Sequence, residues 1–440
     1  MSKIRSTWTA TIAAIALCAV VAAVAPLPGS GVSAQSGNSG SGLICTTSTS
    51  AAGTASFALK AQDGRIMAPD GNTVYMWSYS AGAGSFQYPG PVLCVNEGDA
   101  VTVTLKNTLA VRTSILFEGV EGVRADDAPA SAEVDGSNRL TSLIQSVGPN
   151  QSITYTFTAP PPGTYLYQSG TDHLLQREMG LHGALVVRPA GYSETNRTVY
   201  GEADSSFDVG QEYLHLLSQV DPTMHLAVET ALREGRAADS DVDFAEYRAR
   251  YFFVNGRSFP DTIAPNNAPW LPNQPYGALV HVKAIGQGQA LPSVIRYLNA
   301  GPVNVPFHPH SNHEEVIGVD ARPLVGSIGG TPAVASTDRF AIDVQSGQTV
   351  DARFSWTNTT WDGNNVERVP DQRNLQDGGY WSGEILLGHE GVKPTGGDAF
   401  NVCGEYYHVA HNHALNMATN YGAAMGGQLT LVRVDPQSGC

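Results

Sequence analysis

Val101-Thr102-Val103-Thr104-Leu105 alternates apolar and polar residues, and Ile153-Thr154-Tyr155-Thr156-Phe157 repeats the pattern further along the chain. Successive side chains of an extended chain point to opposite faces, so each stretch reads as a strand with one buried and one wetted face. The region 54–188 is built almost wholly of such segments, punctuated by turn signals at Asp63-Gly64, Asp70-Gly71 and Pro161-Pro162-Gly163. Short strands at this spacing predict a β-sandwich. Strand patterns resume at 251–254, 279–282, 294–298, 350–354 and 429–434, which predicts a second sandwich over 201–440. The stretch 189–200 (PAGYSETNRTVY) reads as a linker. One helix is expected in the second half, with Asp221 as N-cap, Pro222 at the first helical position and Gly235 beyond its end. The expected class is all-β, with two sandwich domains and a short helical insertion.

The N-terminus carries Lys3 and Arg5, then an apolar run from Ile12 to Ala25 and the small-residue site Val32-Ser33-Ala34. That order predicts a signal peptide over 1–34, too short to span a membrane, followed by a flexible leader over 35–53. Secreted or periplasmic placement follows, and no later segment is apolar enough to cross a bilayer. With 440 residues and 42% apolar content the chain can fill two cores. A net charge of −15 argues against nucleic acid and anionic lipid as partners. Beyond Cys18 the cysteines are Cys45, Cys94, Cys403 and Cys440. Export permits disulfides, and four cysteines leave three pairings open.

Six of the twelve histidines fall in two short windows, His308-Pro309-His310-Ser311-Asn312-His313 and His408-Val409-Ala410-His411-Asn412-His413. Each window holds a His-x-His pair, which a strand presents on one face. Two such strands facing each other predict a metal site of His308, His310, His411 and His413. Neutral imidazoles suit copper, and also zinc, iron or nickel. His313 and His408 are oddly spaced from their neighbours and join only through a bulge.

At this point the sequence resembles the multicopper oxidase family, built of cupredoxin-type Greek-key β-sandwiches. The resemblance rests on Pro89-Gly-Pro-Val-Leu-Cys-Val-Asn-Glu-Gly-Asp99 with Val101–Asn107, and on Gly163-Thr-Tyr-Leu-Tyr167 leading to Met179-Gly-Leu-His-Gly-Ala-Leu-Val-Val187. Tyr251–Arg257 and Asn299–His313 resemble later family segments. The family carries four His-x-His motifs that hold a three-copper cluster, fed with electrons by a type 1 copper. His308 and His310 match the third motif, and His411 and His413 the fourth. The first two are replaced: Leu116 and Glu118 stand at the first motif's histidine positions, and Gln168 and Gly170 at the second's. Asn412 stands where the family has the type 1 cysteine, Val305 where it has a type 1 histidine, and the last falls near Asn416 or Met417. Asparagine supplies no thiolate, so ordinary laccase-type chemistry is not expected. In another register Cys403 and His408 have cupredoxin-loop spacing, with Met417 as a distant axial ligand.

The expected cofactor is therefore copper, one or two ions per chain, although another transition metal would fit the same donors. Glu118 is the candidate acid or base and, with His173 beside the lost second motif, a weaker ligand candidate. The expected function is that of an exported copper oxidoreductase with a reduced, non-blue centre, acting on a small-molecule or metal-ion reductant. A non-catalytic copper-binding or structural protein on the same scaffold is the alternative. The two-domain form also suggests a homo-oligomer. His182, His215, His225, His281 and His389 stand alone in the sequence and read as structural.

Overall fold

The computed structural model describes residues 40–46, 48, 52–193, 195–283, 291–310, 312–328, 331–356, 406–423 and 426–435. The expected signal peptide, about half of the leader, Cys403, Cys440 and His389 lie outside these residues. Within the leader, the described residues include Cys45, and the disulfide is Cys45–Cys94.

The two alternating stretches behave as their pattern requires. Residues 101–105 lie in the strand Ala100–Asn107 and residues 153–157 in Ser152–Thr158, and in both the apolar side chains are buried while the threonines are half-buried. The two strands pair antiparallel, Val103 opposite Tyr155. They belong to a six-stranded sheet that also contains Thr54–Met67 and Thr73–Ala81. A four-stranded sheet, ordered Leu93–Asn96, His182–Arg188, Gly163–Gln168 and Leu116–Phe117, packs against it across a core that includes Trp77, Tyr79, Leu105, Phe117 and Tyr167.

Asp63-Gly64 is not a turn. The strand Thr54–Met67 runs straight through it, paired from Leu59 to Met67 with Thr73–Ala81. The Phe86 ring lies where a Cβ on Gly64 would stand, 2.2 Å from its Cγ, so the glycine makes room for an aromatic ring instead of reversing the chain. Asp70-Gly71 does turn, with Gly71 at φ +87°.

The strands from Glu212 onward form two further sheets. One is ordered Tyr251–Val254, Glu212–Val220, Ser293–Asn299, Thr349–Phe354, Glu314–Val319 and Arg322–Pro323. The other is ordered Val280–Lys283, Leu429–Asp435, Tyr406–Asn412, Val305–Pro309 and Ile342–Val344. Between them lies a core containing Tyr297, Val305, Phe307, Val350 and Val432. The expected helix is Pro222–Arg233: Asp221 accepts the backbone N–H groups of Thr223 and Met224, and Gly235 follows at φ +69°. No helix among the described residues is long and apolar enough to cross a membrane.

Leu166, Ala184 and Val186 of the four-stranded sheet pack on Leu214, Leu216 and Leu298 of the third sheet. A buried ionic cluster ties the same faces. Arg296 donates from Nε to Glu212 at 2.7 Å, and from Nη1 to Asp351 at 3.1 Å and to the Thr164 hydroxyl at 3.0 Å. Arg188 pairs with Glu212, and Tyr200 donates to Asp351 at 2.7 Å. Burial works against a charge on Glu212, but Arg188 and Arg296 together hold its carboxyl down to about 2. Removing one partner leaves uncompensated buried charge, so Arg296→Leu should lower the unfolding free energy at neutral pH by about 3–5 kcal/mol. Because the folded carboxyl lies below its ordinary 4.5, the stabilisation from Glu212 is present above that value. It should fade as pH falls toward about 2. Denaturant unfolding of both proteins across this pH range measures it.

Candidate metal centre

The His-x-His windows lie on neighbouring strands of one sheet, side by side instead of face to face as the sequence suggested. Val305–Pro309 pairs antiparallel with Tyr406–Asn412, which sets His308 directly opposite His411 and Phe307 opposite Asn412. Directly paired residues share a face and lie close enough for their side chains to meet. The chain continues past Pro309 with the His310 N–H donating to the Val409 carbonyl at 2.8 Å, which keeps His310 beside the pair.

His308, His310 and His411 each offer a ring nitrogen, and these atoms all lie within 4.8 Å of one another. Two carbonyls set the tautomers. His308 Nδ1 donates to the Phe340 carbonyl at 2.6 Å and His411 Nδ1 to the Asn412 carbonyl at 2.8 Å. Both therefore turn an Nε2 lone pair toward the cluster. His310 Nε2 lies 3.0 Å from His411 Nε2, so in the metal-free protein His310 is the donor of that contact. Ligation through His310 Nε2 requires that proton to leave that nitrogen. Burial lowers the His308 imidazole, and burial pushes His411 down to about 4, which keeps both in the neutral, ligating form. Three imidazoles converging at this spacing fit a first-row transition ion, whose bonds to imidazole nitrogen are about 2 Å.

His413 is exposed and lies outside this trio. Its ring centroid is 5.2 Å from that of His308 and 5.8 Å from that of His411, on which it stacks. His313 is also exposed. His408 is buried and stacks on Trp356 at 4.5 Å, and burial drives its imidazole to about 3. His173 begins a short helix, with Nδ1 on the Ser169 carbonyl at 2.7 Å.

Glu118 is elsewhere. It accepts a hydrogen bond from Gln168, so two residues at lost motif positions now bond each other. Burial raises the Glu118 carboxyl, against Gln168 and the nearby charges of Arg177 and His173, with Asp320 adding to the rise. With Arg177, Asp320 and Ser346 it lines an open pocket of about 470 Å³. None of these groups is among the electrostatic neighbours of His308 or His411. Gly170 sits against Ile144 and Leu143, and Leu116 lies opposite Gln168 on the adjoining strand.

Residues 65–191 match the family model described as multicopper oxidase. Over that segment the chain is similar to a multicopper oxidase domain. Laccase 1 of Metarhizium acridum is 37% identical over 103 residues, 23% of this chain and 15% of that protein. The multicopper oxidase MmcO of Mycobacterium tuberculosis is 28% identical over 178 residues, 38% of this chain and 32% of that protein. The chain thus spans well under two thirds of the curated relatives it matches. The blue copper oxidase from Nitrosomonas europaea shares the fold at a TM-score of 0.51 and 17% identity, over 86% of this chain and 85% of that one.

Asn412, which the sequence resemblance sets at the type 1 cysteine position, is a tethered amide. Asn412 is fully buried and donates from Nδ2 to Gln428 Oε1 at 2.8 Å and to the Met417 sulfur at 3.4 Å. Val305 is fully buried in the apolar core. Sequence reasoning missed Phe340 and Gln428. Phe340 stacks on His308 with centroids 4.1 Å apart while remaining 56% exposed, and no local motif marks it. In metal-free protein, the ring protons of His411 should hold their chemical shifts from pH 8 to 5, moving only near about 4. An NMR titration checks this.

Proposed function

We propose that this chain is an exported copper protein of multicopper oxidase descent, an oxidoreductase whose copper lies at His308, His310 and His411 in a non-blue centre. The observation that carries the reading is the convergence of three imidazoles beside a buried Asn412, where a thiolate would be needed for a blue centre. Bound copper would supply one-electron redox chemistry and an open coordination position for a small reductant or oxidant. The chain's own groups prepare the place for it. The Phe340 and Asn412 carbonyls hold the Nδ1 protons of His308 and His411. Half-buried His310 and exposed His413 and Phe340 leave the site reachable from solvent.

A second reading, a copper-binding protein without turnover, is favoured by one observation. Glu118, the candidate acid or base, lines a pocket whose other groups are not those around the trio. Oxygen consumption with phenols, ferrous and manganous ions separates the two readings. Consumption that requires His308 and His411 supports the oxidoreductase, and none with any of them supports the binder.

Copper loading should saturate at about one or two ions per chain, with an electron paramagnetic resonance signal lacking the narrow hyperfine of a type 1 centre and no intense blue band. His411→Ala should weaken copper binding by at least about 100-fold, more than the 10–100-fold typical of losing a group that only supports a ligand. His413→Ala should cost less. A type 1 signal, or full binding by His411→Ala, contradicts the proposal.

A further inference from the structure

Asn412 and Gln428 make more contacts than filling a vacated position requires. Asn412 is held at both ends. Its backbone N–H donates to the Gln428 carbonyl at 2.9 Å, its Nδ2 donates to Gln428 Oε1 at 2.8 Å, and its Oδ1 accepts the Ala414 N–H at 2.9 Å. Gln428, also fully buried, donates from Nε2 to the carbonyls of Ser218 and Phe253, both at 3.1 Å. Ser218 and Phe253 are paired neighbours on the strands Glu212–Val220 and Tyr251–Val254, in the opposite sheet of the sandwich. The Gln428 backbone N–H donates to the Met417 carbonyl at 2.9 Å, closing the turn that follows the histidines.

These bonds hold Asn412 on the N-terminal side of its α-carbon and through its side chain; its carbonyl, in the next peptide unit, whose His413 N–H donates to the Pro306 carbonyl at 2.7 Å, receives His411 Nδ1–H. A carbonyl free to rotate would release that proton, and the imidazole could take the other tautomer, with Nε2 protonated and unable to ligate. We infer that Asn412 and Gln428 form a bracket across the sandwich that positions His411, locking the tautomer and ring orientation in which its Nε2 faces His308 and His310. The residue at the matching type 1 cysteine position thus serves as a positioning residue and not as a ligand. This inference rests on the copper reading of the trio, but its first test needs no copper.

The test compares Gln428→Leu, and the milder Gln428→Met, with the parent chain. Thr430→Val is the matched control: on the strand Leu429–Asp435, opposite Ala410, it deletes a buried hydrogen bond from Thr430 Oγ1 to the Ala278 carbonyl at 2.9 Å, one that involves neither Asn412 nor Gln428. Folding is followed by circular dichroism. In metal-free protein, long-range nitrogen–proton NMR of the imidazoles should show His411 as the Nδ1–H tautomer in the parent and in Thr430→Val, and as a mixture in the Gln428 variants. Copper affinity, by competition with a chelator, should fall about 10–100-fold in the Gln428 variants with a changed hyperfine splitting, and by less than twofold in Thr430→Val. Folded Gln428 variants that keep the Nδ1–H tautomer and bind copper within twofold of the parent overturn the bracket. If the parent takes up no copper, the copper reading fails by itself, and the tautomer measurement still decides the bracket.

Discussion

One strand pairing governs the candidate site. Val305–Pro309 and Tyr406–Asn412 are about a hundred residues apart in sequence, yet their antiparallel register places His308 directly against His411. A slip of one residue would turn every side chain of either strand to the other face and put an imidazole opposite the wrong neighbour. The register is held from both sides. Phe307 and Val305 are fully buried in the sandwich core, and Asn412 is tied through Gln428 to the opposite sheet. The polar site therefore stands on an apolar and amide scaffold that leaves its strands little freedom.

The second dependence is on the face shared by the two halves of the fold. The Arg296 cluster gathers Glu212, Asp351 and Thr164 from three strands into one set of buried charges and hydroxyls. Such a cluster favours one docking arrangement, because any other leaves a charge without its partner. Gln168 ends a strand of the four-stranded sheet and bonds Glu118, just past the neighbouring strand, while His308 and His411 lie on the fourth sheet with His310 one residue beyond it. Metal-type donors and the candidate acid have thus ended in different places, and the chemistry open to each place is narrower than the family pattern implies.

Much of this was legible in the sequence. The period-two alternation at 101–105 and 153–157 named strands that the structure contains, and Asp221, Pro222 and Gly235 marked the ends of a helix because each supplies a specific backbone need. The histidine windows announced a cluster, since two residues apart on a strand means one face. What failed or was missed depended on contacts distant in sequence. Asp63-Gly64 looks like a turn until Phe86 is found pressed on Gly64. His413 shares the spacing of His411, but beyond Asn412 the chain leaves the strand and turns its ring to solvent. Phe340 and Gln428 bear no local signature, because each acts through a carbonyl or an amide that only the fold brings near the histidines.

The central claim is that His308, His310 and His411 hold copper through their Nε2 atoms, without a thiolate. A crystal of copper-loaded protein, with anomalous diffraction recorded on either side of the copper absorption edge, tests this most directly. The account predicts one dominant copper peak within bonding distance, about 2 Å, of all three Nε2 atoms. A peak at Glu118 and Gln168 alone, or one within bonding distance of Cys403, would contradict it.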